Sequence, residues 1–218
     1  MDLSTMIQQL CQGMVVTIEI FVLTLLMSLP LGLLVSFARM SKNPILRGIS
    51  KVYISIMRGT PLMLQMLVVY FGPYFLFGMS ISSSYRFPAV IIAFVINYAA
   101  YFCEIFRGGI ESMEQGQYEA AQILGFTKTQ TFMRIILPQV MKRILPSITN
   151  EVITLVKDTS LAYAIAVTEM FTLAKQIAAS QTSMVPYVAA GIFYYIFNAV
   201  VAWVMGKFED KMSYYSAK

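Results

Sequence analysis

The run from Met14 to Ala38 carries a single charge, Glu19, in a stretch that is otherwise apolar or small. At about 1.5 Å per residue, a helix over this run outreaches a bilayer hydrocarbon core of ~30 Å. The chain is therefore read as an all-α integral membrane protein. Composition agrees: 58% of the 218 residues are hydrophobic and 12% charged, where a soluble domain carries about 25% charged residues. A secretory signal would need basic residues ahead of a short apolar core and a small-residue cleavage site. Asp2 is the only charge before Glu19, and the run is too long, so a retained helix is expected.

About five transmembrane helices are expected, at roughly 14–38, 54–78, 87–106, 144–172 and 186–206, in one domain spanning 1–218. The second is punctuated by Gly72-Pro73, and the fourth by Pro146 and several charges. Such interruptions survive in a membrane only where protein or water satisfies the freed backbone. Of the sixteen Lys and Arg residues, thirteen fall in the loop 39–58, the loop 107–143 or the segment after 206. Arg86 and Lys175 lie on the other side, and Lys157 within the fourth span. The asymmetry predicts an outside N-terminus and a cytoplasmic C-terminus. It also accounts for the net charge of +5 as a topology signal, with no nucleic acid partner implied. Cys11 and Cys103 give no disulfide or metal spacing, and there is no histidine. Trp203 with Tyr214-Tyr215 is expected to mark an interfacial aromatic belt.

The loop 107–143 is too long to be left without structure. It reads as two short helices. Gly116 opens the first, Gln117 to Leu124, with Ala120, Ile123 and Leu124 at helical spacing. Gly125 suits a left-handed C-cap, and Thr127-Lys128-Thr129-Gln130 matches a capping box. The second helix carries Phe132, Ile135 and Ile136 and is expected to stop at Pro138. Two uses stand side by side: a hairpin resting on the floor of the helix bundle, or a helix that docks a partner.

Glu119-Ala120-Ala121, Gly125, Ile135, Leu137 and Pro138 reproduce the pattern EAA-x3-G-x9-I-x-L-P. This resembles the cytoplasmic loop of binding-protein-dependent ABC importer permeases. Arg58-Gly59-Thr60-Pro61, Glu104, Arg107-Gly108-Gly109-Ile110 with Gly116-Gln117, and Lys157-Asp158-Thr159-Ser160-Leu161 resemble the polar amino acid branch, which serves histidine, glutamine and arginine. The resemblance implies a type I permease fold in a bacterial cell membrane. It makes Glu119, Ala120, Ala121, Gly125, Leu137 and Pro138 the coupling residues for a separate ABC ATPase dimer. It further implies an extracytoplasmic amino-acid-binding protein and a second permease copy, identical or a close paralogue. The sequence contains no G-x-x-x-x-G-K-[ST] phosphate loop, so no cofactor is expected on this chain, and ATP and Mg belong to the partner ATPase.

Charges inside a membrane are functional candidates by default. Asn97, Tyr101 and Glu104 share one face of the third span; Ser147, Glu151, Thr154 and Asp158 share one face of the fourth. These stripes suggest facing walls of an aqueous path, with Asp158 favoured as a substrate contact and Glu19 as a further carboxylate nearer the outside. Glu104 with Arg107 is read as mainly structural with a transport role as the alternative, and Glu19 could snorkel outward or bond a neighbouring helix. Glu151 and Glu169 are placed toward span ends, near solvent. The methionines are read as gap-filling packing. A secondary transporter would show inverted repeats, and none is visible. A membrane enzyme would need a catalytic constellation that a chain without histidine does not supply.

Overall fold

In the computed structural model, residues 2–212 are described, and every regular element among them is helical. Helix α1 runs Leu3–Arg39, started by Asp2, whose carboxylate accepts from the Thr5 backbone N–H, and it passes through Pro30 without ending. Its buried side is a ladder of small residues, Gly13, Thr17, Thr24, Ser28, Gly32 and Ser36, mostly four apart. This lets α1 lie close along α4 (Arg86–Glu111): a Cβ on Gly32 would stand 2.7 Å from Phe102 Cβ. Small residues at such spacing are the usual means of close helix approach in membranes, where apolar side chains gain nothing by leaving lipid.

Helix α2 (Pro44–Gly59) is started by Asn43, which accepts from the N–H of Ile45 and Leu46. It ends because Pro61 forces the residue before it out of the helical region; Thr60 is extended. Helix α3 (Leu62–Phe77) then leaves at 110° to α2. The second span therefore breaks at Gly59–Pro61 and not at Gly72-Pro73, which α3 crosses before Gly78, left-handed at φ +65°, ends it. A proline inside a helix removes one hydrogen bond; the extended Thr60 redirects the chain.

Helix α4 is the centre of the bundle, burying Val90, Ala93, Phe94, Tyr98 and Phe102. Three more helices form the long loop and the return: α5 (Gln115–Ile123), α6 (Lys128–Thr131) and α7 (Leu137–Asp158), with a π-type turn over Phe132–Ile136. Pro138 stands in the first turn of α7, where a missing N–H costs nothing, so it starts this helix instead of stopping the one before. Pro146 does not break α7 either.

The stretch expected as one span over 144–172 is not a single helix. α7 gives way at Asp158 to a 3-10 turn, Thr159–Ile165, and Ala166 is left-handed at φ +56°. Helix α8 (Met170–Gln181) follows, and Glu169 caps it. Helix α9 (Val185–Met212) packs against α7 and α8 and carries Trp203, exposed beneath the Lys207 ammonium; Tyr214 and Tyr215 lie outside the described residues. Among the described residues, Leu3–Arg39, Ser83–Glu111 and Val185–Met212 are long and apolar enough to cross a membrane, and the bent pair α2–α3 reaches that measure only when its two helices are taken together.

Candidate functional site

Two features carry candidate chemistry: the hairpin of α5 and α6 and the exposed face of α7. The hairpin is locally encoded. Gly125 is left-handed at φ +77°, and nothing lies within 4 Å of where a side chain would begin, so its role is backbone shape alone. Thr127 accepts from the Gln130 N–H at 3.3 Å while Gln130 accepts from the Thr127 N–H at 2.9 Å, a complete capping box. Helix α5 rests on the body through Ala121, fully buried, whereas Glu119 and Ala120 are exposed. Ile123 and Leu124 at its end are 86% and 73% exposed. The apolar pair at helical spacing thus points away from the protein. Gln139 donates to Gln117 at 3.3 Å and ties α5 to α7; Leu137 is half-buried and Pro138 exposed. Partial burial holds the Tyr118 hydroxyl above its ordinary pKa.

The exposed residues of α7 are Pro138, Gln139, Arg143, Pro146, Ser147, Asn150 and Lys157, with Glu151, Thr154 and Asp158 half-buried beside them. None of the exposed ones is an apolar aliphatic or aromatic residue. On α9 the exposed residues include Val188, Ile192, Tyr195, Ile196, Val200 and Phe208. Lipid can cover the second set and not the first.

The expected stripe on α4 divides into three different environments. Asn97 is buried and donates to the Met57 carbonyl and to Gln65, so it does not line open space. Tyr101 lies under the Arg58 guanidinium, 5.3 Å from the ring centre. Glu104 accepts from Arg107 at 2.7 and 3.1 Å and has Arg39 and Arg58 each at 3.9 Å, an arginine-bound carboxylate toward the C-terminal end of α4. It shares with Ser147 a cavity of about 360 Å³, so the two stripes do meet there. The closer link between them is one that periodicity missed: Tyr98 donates to Asp158 Oδ2 at 2.7 Å. Thr154 donates to the Asn150 carbonyl of its own helix. Glu19 is exposed on α1 and makes no ion pair among the described residues. Glu169, expected near solvent, is fully buried: it accepts from the N–H of Phe171 and Thr172, the Thr172 hydroxyl and Tyr194. Its span ends early, so Glu169 is an N-cap inside the bundle.

Residues 28–214 match the binding-protein-dependent transport system inner membrane component family. The chain belongs to that family. It is 36% identical over 208 residues to the L-cystine transport system permease protein TcyB of Bacillus subtilis (strain 168), covering 94% of this chain and 87% of the relative. It is 34% identical to the arginine transport system permease protein ArtQ of the same organism, covering 97% of each. Among solved structures it resembles that of an amino acid ABC transporter with histidines, at TM-score 0.85 and 29% identity over 97% of this chain and 99% of that one. The MetNI methionine ABC transporter, at TM-score 0.74 and 16% identity, covering 97% of this chain and 99% of that one, shares the fold. Membership makes this chain a multi-pass permease component, not an enzyme.

Proposed function

We propose that this chain is the membrane permease subunit of an ATP-driven importer of polar amino acids, delivered by an extracytoplasmic binding protein. The exposed face of α7 carries the reading: it bears charged and polar residues from Gln139 to Lys157 and no exposed aliphatic or aromatic side chain, so it must meet water or another chain. A second permease copy facing it closes a path between the two. The names of the relatives, for cystine and arginine transport, and their similarity over nearly the whole chain support amino acids as cargo. The exposed Ile123 and Leu124, held by Gly125 and the Thr127 box, form a rigid apolar knob suited to a cleft on the ATPase, whose own site holds ATP and Mg. Closure of the ATPase dimer then moves both hairpins and shifts the permeases between outward- and inward-open states.

The test is uptake by cells or vesicles containing the chain with and without its ATPase. ATP-dependent uptake of L-cystine, L-arginine or L-glutamine that vanishes without the ATPase supports the reading; uptake driven by an ion gradient alone overturns it. The orientation has its own check. In a chain freed of Cys11 and Cys103, Ser82→Cys is expected to react with an impermeant thiol reagent in intact cells and Thr129→Cys to stay unlabelled. Both positions are exposed, so labelling at 129 would reverse the topology.

A further inference from the structure

The break between α2 and α3 is held at the level of Asn97, near the middle of α4. A helix end at that depth leaves carbonyls that lipid cannot satisfy. Here two amides take them up. Gln65 Nε2 lies 2.9 Å from the Met57 carbonyl, 3.1 Å from that of Thr60 and 2.8 Å from the Thr60 hydroxyl. Asn97 Nδ2 donates to the same Met57 carbonyl at 3.0 Å and to Gln65 Oε1 at 2.9 Å. The Thr60 hydroxyl donates onward to the Ile56 carbonyl at 2.8 Å, and Tyr53 ties this end of α2 to the Ile96 carbonyl. Both amides are buried, at 8% and 4% exposure, and are spent on one another and on the break. Both amide nitrogens, and the Gln65 carbonyl oxygen, are thereby committed to the break.

What this arrangement presents is Arg58, the residue after Met57. It is exposed, stands over Tyr101, keeps 3.9 Å from Glu104, and lies within electrostatic range of Glu151 on α7. We propose that Gln65 and Asn97 are positioning residues of the transport path: the amide pair holds the break open in mid-membrane and so aims Arg58 at the space beside α7, where it meets the carboxylate of an amino acid. This rests on the import function proposed above. An apolar side chain at position 65 would leave the Met57 and Thr60 carbonyls short of partners, and the chain would regain them by winding the break differently, which turns Arg58 away. Arginine is suited to the task because its planar fork matches a carboxylate.

The measurement is equilibrium binding of radiolabelled L-cystine, L-arginine and L-glutamine to the purified permease–ATPase complex without binding protein, which isolates the membrane site. Using the amino acid that the parent complex binds best, Gln65→Leu is expected to weaken affinity about tenfold or more, as is Arg58→Lys. The double variant should bind no worse than the weaker single one, because both act through Arg58. Parent-like affinity in Gln65→Leu overturns the proposal. So does a lowered unfolding temperature with affinity unchanged, which would make the amides a structural brace only. Losses that multiply in the double variant also overturn it, as does a parent complex that imports yet binds nothing without its binding protein. If Gln65→Leu does not assemble, Thr60→Val removes one acceptor at the exposed edge and is expected to weaken binding about threefold; unchanged affinity there overturns it equally. Failure of the underlying reading shows separately, as absence of ATP-dependent uptake in the parent.

Discussion

Valine at position 125 is expected to leave the chain inserted in the membrane while lowering ATPase co-purification and binding-protein-stimulated hydrolysis about tenfold or more. Gly125 stands at φ +77° with no atom within 4 Å of a would-be Cβ, so bulk is not the obstacle. The obstacle is the backbone: left-handed geometry costs an L-residue roughly 1–2 kcal/mol, and a β-branched one more. About 1.4 kcal/mol is already a factor of ten in an equilibrium. The strain is relieved by opening the turn between α5 and α6, which swings Ile123 and Leu124 out of line. Gly125→Asn is the control, since asparagine tolerates this region, and it should keep most of the coupling. Glu119→Lys reverses an exposed charge on the same helix and should weaken docking without touching the turn. Normal co-purification and normal stimulated hydrolysis in both Gly125→Val and Glu119→Lys would reduce the hairpin to packing.

The hairpin was readable because its determinants are local. A left-handed C-cap glycine and a Thr-x-x-Gln box fix backbone within a few residues, and both stand in the structure as spacing implied. Helix existence was readable for the same reason, through long apolar runs. The sites of breakage were not. Gly72-Pro73 and Gly59-Thr60-Pro61 look alike as punctuation, and what separates them is tertiary: the amides of Gln65 and Asn97 wait at the second, whereas at the first the Val69 carbonyl freed by Pro73 takes the Tyr85 hydroxyl and the helix runs on. The end of α7 at Asp158 has no breaker residue; it is set by the 3-10 turn and by Glu169 capping a helix that periodicity ran together with α7. Among candidate site residues, Ser147, Glu151, Thr154 and Asp158 do lie together on α7, exposed or half-buried, whereas the grouping of Asn97, Tyr101 and Glu104 on α4 divides because Asn97 is buried. Partners from other helices were not readable. Tyr98 in an apolar span looks like packing, and only the fold brings its hydroxyl to Asp158.

That contact sharpens the expectation for Asp158→Asn. The carboxylate is half-buried on the polar side of α7, and its hydrogen-bonding partner is the Tyr98 hydroxyl; it forms no ion pair among the described residues. A neutral donor occupies one lone pair of Oδ2 and leaves the charge available to the ammonium or basic side chain of a substrate. Asparagine keeps the shape and can still accept from Tyr98, so assembly with the ATPase should be close to normal. Hydrogen bonds to a charged group are worth about 1.5–3 kcal/mol, so affinity and uptake should fall by roughly tenfold to a hundredfold, most for a cationic amino acid. Tyr98→Phe tests the other half: it frees the carboxylate without removing it and should change uptake far less than Asp158→Asn. Yield, stimulated ATP hydrolysis and uptake measured on one reconstituted preparation decide the matter. A loss confined to yield would make the Tyr98–Asp158 bond a brace between α4 and α7. Transport at the parent rate from a normally assembled Asp158→Asn complex would remove Asp158 from the path and leave Glu19, an exposed carboxylate on α1, as the next residue to neutralise.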